Sequence, residues 1–112
     1  MNKDLNISIL MDFYGEFLTE KQAEALDYYY NQDYSLYEIA GHMNVSRQGV
    51  RDFIKRGEKQ LAEFEDKLKL AQKHAKLDPL LDSLYSDIET LDLQSDIRQK
   101  LQNTLSEIKD NL

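Results

Sequence analysis

The chain has no cysteine, no tryptophan, one proline and four glycines among its 112 residues. Without cysteine there can be no disulfide and no thiolate metal site, which fits a reducing, cytoplasmic setting. One proline and so few glycines are too little for a loop-rich or β-rich fold. Ala, Leu, Glu, Lys, Gln and Asp dominate instead, so an all-α fold is expected. No apolar run approaches the roughly 20 residues of a membrane span, so no membrane insertion is expected. The N-terminal patch Ile7–Met11 is short and soon followed by Asp12, unlike a secretory signal. Gly15, Gly41, Gly49 and Gly57 are scattered and match no phosphate-cradling fingerprint. The two histidines share no metal-ligand spacing. His42 is expected at a helix end beside a turn, and His74 on the surface of a long helix. No hydroxyl nucleophile stands recognisably beside a base. The expectation is a non-enzyme with no cofactor, no metal and no small-molecule substrate.

Basic charge is scarce too. Fourteen Lys and Arg face 21 Asp and Glu, for a net charge of −7. The distribution is uneven. Residues 46–60 carry five basic and two acidic side chains, a net of +3, whereas residues 1–45 carry −6 and residues 61–112 carry −4. An acidic body opposes nucleic-acid binding, which draws on neutralised phosphates. It suits a basic protein partner through complementary charge.

The basic segment lies in the stretch that organises the chain, Ser35–Arg56, which reads as a helix-turn-helix. Ser35 is placed to cap a short helix, and Glu38 three residues on completes a capping box. Ile39, Ala40 and Met43 point inward, Asn44 tolerates the left-handed geometry of a sharp turn, and Val45 plugs the corner. Ser46 caps the next helix. At about 100° per residue, Arg47, Gln48, Arg51, Lys55 and Lys59 gather on one side, and Val50, Phe53, Ile54, Gly57 and Leu61 on the other. A basic face opposite a core face suits insertion into a DNA major groove, where Arg and Gln pair with guanine and adenine edges. Ser46, Arg47, Gln48, Arg51, Lys55 and Lys59 are therefore the candidate nucleic-acid contacts. Helix-turn-helix units also bind proteins, so both ligand classes stay open.

Around this unit, a first helix is expected over residues 4–14, with Leu5, Ile9 and Phe13 and then Leu10 and Tyr14 at helical spacing, stopping at Gly15. Phe17-Leu18 bridges to a second helix. Thr19 and Gln22 form a capping box there, and Ala23, Leu26 and Tyr30 are its apolar positions. Tyr28-Tyr29-Tyr30 faces three directions, so at least one ring is expected exposed. The favoured reading is a core aromatic with two amphipathic flanks, and the alternative is a partner-binding patch. The recognition helix shows no stop. Val50, Ile54, Gly57, Leu61, Phe64, Leu68, Ala71 and Ala75 follow a heptad seam, predicting a helix from Arg47 to about Ala75, roughly 43 Å long. Asp78-Pro79 reads as a helix start, followed by the stripe Leu80, Leu81, Leu84, Tyr85, Ile88 and Leu91. A break near residues 92–95 precedes a last helix bearing Ile97, Leu101, Leu105, Ile108 and Leu112. The expected division is a helix-turn-helix domain over residues 1–60 and a helical extension over 61–112, built for dimerisation and packed on the same core. Leu61, Phe64, Leu68, Leu81, Leu84 and Ile88 are the candidate dimer or bundle interface, with Leu61, Phe64 and Leu68 expected to be buried at a subunit contact or beneath the C-terminal helices.

Phe17-Leu18-Thr19-Glu20-Lys21-Gln22, Leu26, Tyr30, Ser35–Ala40 and Val45–Arg51 resemble region 4 of bacterial sigma factors, the part that reads promoter DNA. That resemblance covers about residues 17–61. The fold it implies is a sigma region 4-like helix-turn-helix whose long recognition helix extends into a C-terminal helical bundle. It also implies that Arg47, Gln48, Arg51 and Lys55 face DNA. Over its whole length, including Leu10-Met11-Asp12-Phe13-Tyr14 and the acidic helical tail, the chain resembles the YlxM family. These are small bacterial proteins encoded beside genes for the signal recognition particle GTPase and its receptor. That resemblance implies a regulatory or accessory role in the signal recognition particle pathway through protein or RNA contacts. The alternative is a transcription regulator reading DNA with residues 46–59. A third reading has the basic face paired with acidic residues of the same chain or of its mate. A homodimer serves the first two readings alike.

Overall fold

The computed structural model describes residues 5–112, the side chain of Leu5 excepted. Among these residues there are six α-helices and no strand: α1 (Leu5–Tyr14), α2 (Glu20–Leu26), α3 (Leu36–Met43), α4 (Arg47–Leu68), α5 (Leu70–Thr90) and α6 (Ser95–Asp110). A 3₁₀ turn at Gly15–Phe17 follows α1, and a π turn at Asp27–Asn31 prolongs α2. The chain divides into two compact units, the first ending at Ala71 and the second running from Gln72 to Leu112.

The first unit is assembled on α4, against which α1, α2 and α3 all pack. Val50, Ile54, Gly57 and Leu61 recur at steps of four and three, so they form one stripe, and all four are buried. Each large side chain in that stripe contributes about 1.5–3 kcal/mol by leaving water. Gly57 sets how closely α2 approaches, since a Cβ there would lie 2.6 Å from Leu26 Cδ1. Tyr14, Ala25, Leu26 and Ile39 complete a core with no exposed surface.

The local signals of the helix-turn-helix hold in detail. The Thr19 hydroxyl accepts from the Gln22 amide while the Gln22 side chain accepts from the Thr19 amide, and Ser35 and Glu38 repeat the arrangement. Asn44 takes the left-handed conformation at φ 58° and ψ 45° and closes α3 with its N–H on the Ala40 carbonyl. Ser46 Oγ accepts from the Gly49 amide at 3.0 Å and opens α4.

Two expectations near the N-terminus need correcting. The buried stripe of α1 is Ile7 and Tyr14, with Leu10, Met11 and Phe13 partly covered, and Ile9 is 50% exposed. The spacing of Ile7, Leu10, Met11 and Tyr14 is the better helical match, and Ile9 sits some 200° away from Ile7. Residue 4 and the Leu5 side chain lie outside the described residues. The second correction concerns the tyrosines at 28–30, where the core aromatic with two amphipathic flanks is found as expected but no ring is fully exposed. Tyr29 is buried, Tyr28 stacks on Tyr34 and His42 with ring centroids 5.3 Å from each, and the Tyr30 hydroxyl donates to Glu58 at 2.5 Å.

The long recognition helix is also shorter than its heptad pattern predicts. It ends at Leu68, and Lys69 turns left-handed at φ 56° before α5 begins. The reason is a pair of side chains distant in sequence. The Tyr14 hydroxyl donates to Glu65 Oε1 at 2.6 Å and accepts from the Leu70 amide at 3.0 Å, and Glu65 Oε1 accepts from the Ala71 amide at 3.0 Å. Those amides are first-turn donors without a partner inside α5, so Tyr14 and Glu65 together do the work of an N-cap. Leu68 is consequently 48% exposed, against the expectation that it is buried. Phe64 is half-buried between the rings of Tyr14 and Phe17, at 5.8 and 5.7 Å. Leu61 lies in the core of the first unit. The expected division at residue 60 thus falls inside α4.

In the second unit, Asp78-Pro79 does not start a helix. It lies inside α5, which has already begun at Leu70. Pro79 removes one donor from the helix ladder, at a cost the continuing helix absorbs. His74 is correspondingly a half-buried residue of α5 and not a surface residue of α4. The break before α6 falls at residues 91–94. The unit is formed by α5 from Gln72 onward and by α6. Ile88 and Leu105 are its buried apolar side chains, Leu81 is half-buried, and Leu84 is exposed. Lys109 Nζ bonds Asp82 and lies 3.7 Å from Asp78.

Candidate nucleic-acid interface

The candidate interface is built by the α3–α4 corner. Capping by Ser46 fixes where α4 starts, and burial of Val50 and Ile54 fixes its rotation. With both set, Arg47, Gln48, Arg51, Lys55 and Lys59 must face away from the core, and all five are exposed, as is Ser46. Arg47 to Lys55 spans about 12 Å of helix axis. Gln48 Nε2 donates to Asp52 Oδ1 at 3.1 Å, steadying the amide on the helix surface. Arg47, Arg51, Lys55 and Lys59 have no ion-pair partner among the described residues. Their charge is therefore not neutralised by ion pairs there.

Beside this face is an open groove of about 610 Å³, lined by Tyr37, Glu38, Ala40, Gly41, His42, Val45 and Arg47. Sequence reasoning did not single out Tyr37, which is 75% exposed. The signal was available, since Tyr37 lies about 200° around α3 from the buried Ile39. Gly41 leaves the groove floor flat, with nothing within 4 Å of where its Cβ would sit. His42 stands in the last turn of α3, as expected of a helix-end residue, its ring stacked on Tyr34 at 5.1 Å. Glu38 is the one acidic residue of the lining, and its carboxylate accepts from the Ser35 amide. The groove thus combines an aromatic ring, an imidazole and a guanidinium.

The remaining candidates divide between the two units. Leu61 and Phe64 belong with the first core, Leu68 is exposed at the end of α4, and Leu81, Leu84 and Ile88 lie on α5. Among the described residues no group of three His, Asp or Glu is placed to hold a metal ion. Nor is any helix there long and apolar enough to cross a membrane.

Comparison with known proteins agrees with the helix-turn-helix. The family UPF0122, described as "Putative helix-turn-helix protein, YlxM / p13 like", matches residues 1–105. A UPF0122 protein of Clostridium kluyveri is 49% identical over 94 residues, covering 78% of this chain and 85% of its own. One from Acetivibrio thermocellus is 46% identical over 95 residues, covering 85% and 81%. One from Clostridium novyi is 40% identical over 112 residues, covering 100% and 96%. The family's description names a helix-turn-helix. With its two caps, its left-handed Asn44 corner and a match along nearly its whole length, this chain belongs to UPF0122, the YlxM / p13-like family.

Proposed function

We propose that the protein is a non-catalytic cytoplasmic regulator that binds duplex DNA as a homodimer, with α4 in the major groove. Arg47, Gln48 and Arg51 reach base edges, and Lys55 and Lys59 contact phosphates. One observation carries the reading: a capped helix, held in a core by one face, presents on the other a row of exposed cations that have no ion-pair partner among the described residues. The net charge of residues 46–60 is +3 in a chain of −7, so the attraction is concentrated where the groove would be met. Each paired contact between a side chain and a base edge is worth about 1–3 kcal/mol of discrimination. Selection from a random duplex library tests the reading. Wild type is expected to enrich a two-fold site, and the Arg47→Glu, Arg51→Glu double variant to enrich nothing. Equal enrichment by both would remove α4 from the reading.

The acidic remainder of the chain favours a second reading, a basic protein partner such as a component of the signal recognition particle, with or without its RNA. A pull-down from native extract treated with nuclease separates the two. Particle components that survive nuclease would favour the protein reading, and material that disappears with the nucleic acid would favour the first.

A further inference from the structure

We propose that the second unit is one half of a symmetric interface. A second copy of this chain covers its exposed apolar face, with the two α5 helices antiparallel. This gives the homodimer named above a surface, and it does not depend on what α4 binds.

The unit is packed inside out. Residues 72–112 form two helices and bury the apolar side chains Ile88 and Leu105. A unit of that size with so small a core falls below what folds unaided. On α6 the residues turned inward include Arg98 and Gln102, and Arg98 Nε and Gln102 Nε2 are buried without a hydrogen-bond partner. Ile97, Leu101 and Ile108 of the same helix are each more than 40% exposed. On α5, Leu77 and Leu84 are seven residues apart, Leu91 follows at the same interval just past the helix end, and all three are exposed. Leu80 beside them is 64% exposed. A repeat of seven is the spacing that keeps one face of a helix against another helix.

Charge selects the occupant and its direction. At the start of α5 the stripe is flanked by Lys73 and Lys76, and at its far end by Asp87. None of the three has an ion-pair partner among the described residues. A parallel copy would set lysine against lysine. An antiparallel copy pairs Leu77 with Leu84 and brings the Lys73–Lys76 end of each helix to Asp87 of the other. A surface that is its own complement under a two-fold rotation is that of an isologous dimer. Four helices then close around the stripes, a standard bundle arrangement.

The experiment is sedimentation equilibrium of the full chain without nucleic acid, from about 1 to 100 μM. Wild type is expected to dimerise in that range. Asp87→Lys alone, and Lys73→Glu with Lys76→Glu, should each weaken the dimer about tenfold or more, and the three changes together should restore it. These changes are at exposed positions, so folding survives them. The chain's lack of cysteine allows a second test. Leu80→Cys, near the two-fold axis, should give a covalent dimer on oxidation, and Lys73→Cys, far from it, should not. A wild type that stays monomeric at 100 μM overturns the proposal. So does a dimer indifferent to the charge changes, or cross-linking by Lys73→Cys and not by Leu80→Cys. Failure of the DNA selection would leave this interface intact, and a monomer would leave α4 able to bind.

Discussion

Tyr14 has no exposed surface, yet its hydroxyl is fully used, donating to Glu65 and accepting from the Leu70 amide. Burial, and then the Glu65 hydrogen bond, push its pKa above the ordinary phenol value of 10.0. A raised pKa means that the folded state prefers the neutral hydroxyl. That contribution is fully present below about pH 10 and is lost as pH climbs through the folded value. Tyr14→Phe leaves Glu65 and the Leu70 amide short of a partner, so it should lower stability at pH 8 by about 1–3 kcal/mol. It should also flatten the alkaline loss above about pH 10. Urea midpoints of both proteins at neutral and strongly alkaline pH check this, and parallel alkaline losses would show that Tyr14 is not the group responsible. Gly57 is a second residue with a distinct cost. Gly57→Ala gains about 1 kcal/mol of helix propensity but forces the buried Leu26 aside, which costs about 1–3 kcal/mol. A net loss of about 1 kcal/mol is expected in a thermal melt, and replacing Leu26 with Val in the same chain should recover part of it.

Helices capped by near neighbours are legible in a sequence, and helices capped from a distance are not. Thr19, Ser35, Asn44 and Ser46 act on residues within a few positions, and each does what its local spacing indicates. The basic face of α4 was legible for the same reason, because a helix of known start and period has only one way to sort its side chains. The break at Lys69 was not. Its neighbours continue an unbroken heptad, and the amides that open α5 are held partly by a tyrosine 56 positions earlier. Pro79 misled in the opposite direction, since a helix already running from Leu70 passes through it. The π turn that lets three consecutive tyrosines all find cover likewise depends on Tyr34, His42 and Glu58, which only the fold brings near. At this scale the test is Lys69→Gly. A left-handed lysine carries a steric cost of about 1 kcal/mol that glycine escapes. The variant should therefore be more stable by up to that amount, read as a higher urea midpoint with an unchanged slope.

The whole molecule carries a strong asymmetry of charge, +3 on one short segment within a total of −7. The DNA binding proposed for α4 should therefore be steeply sensitive to salt, and more so for two copies than for one. Lys55→Ala and Lys59→Ala should each reduce the slope of log K against log salt by about 0.9 for every phosphate no longer neutralised, doubled if two subunits bind. Titrations by fluorescence anisotropy at several salt concentrations measure this. An unchanged slope would move those lysines off the phosphate backbone. The same folded molecule carries its own optical signal. It has no tryptophan to mask its seven tyrosines. Tyr14 and Tyr30 each donate to a carboxylate, an arrangement that quenches phenol emission. The native protein should therefore glow faintly and brighten as its core opens, reporting its folding without an added dye.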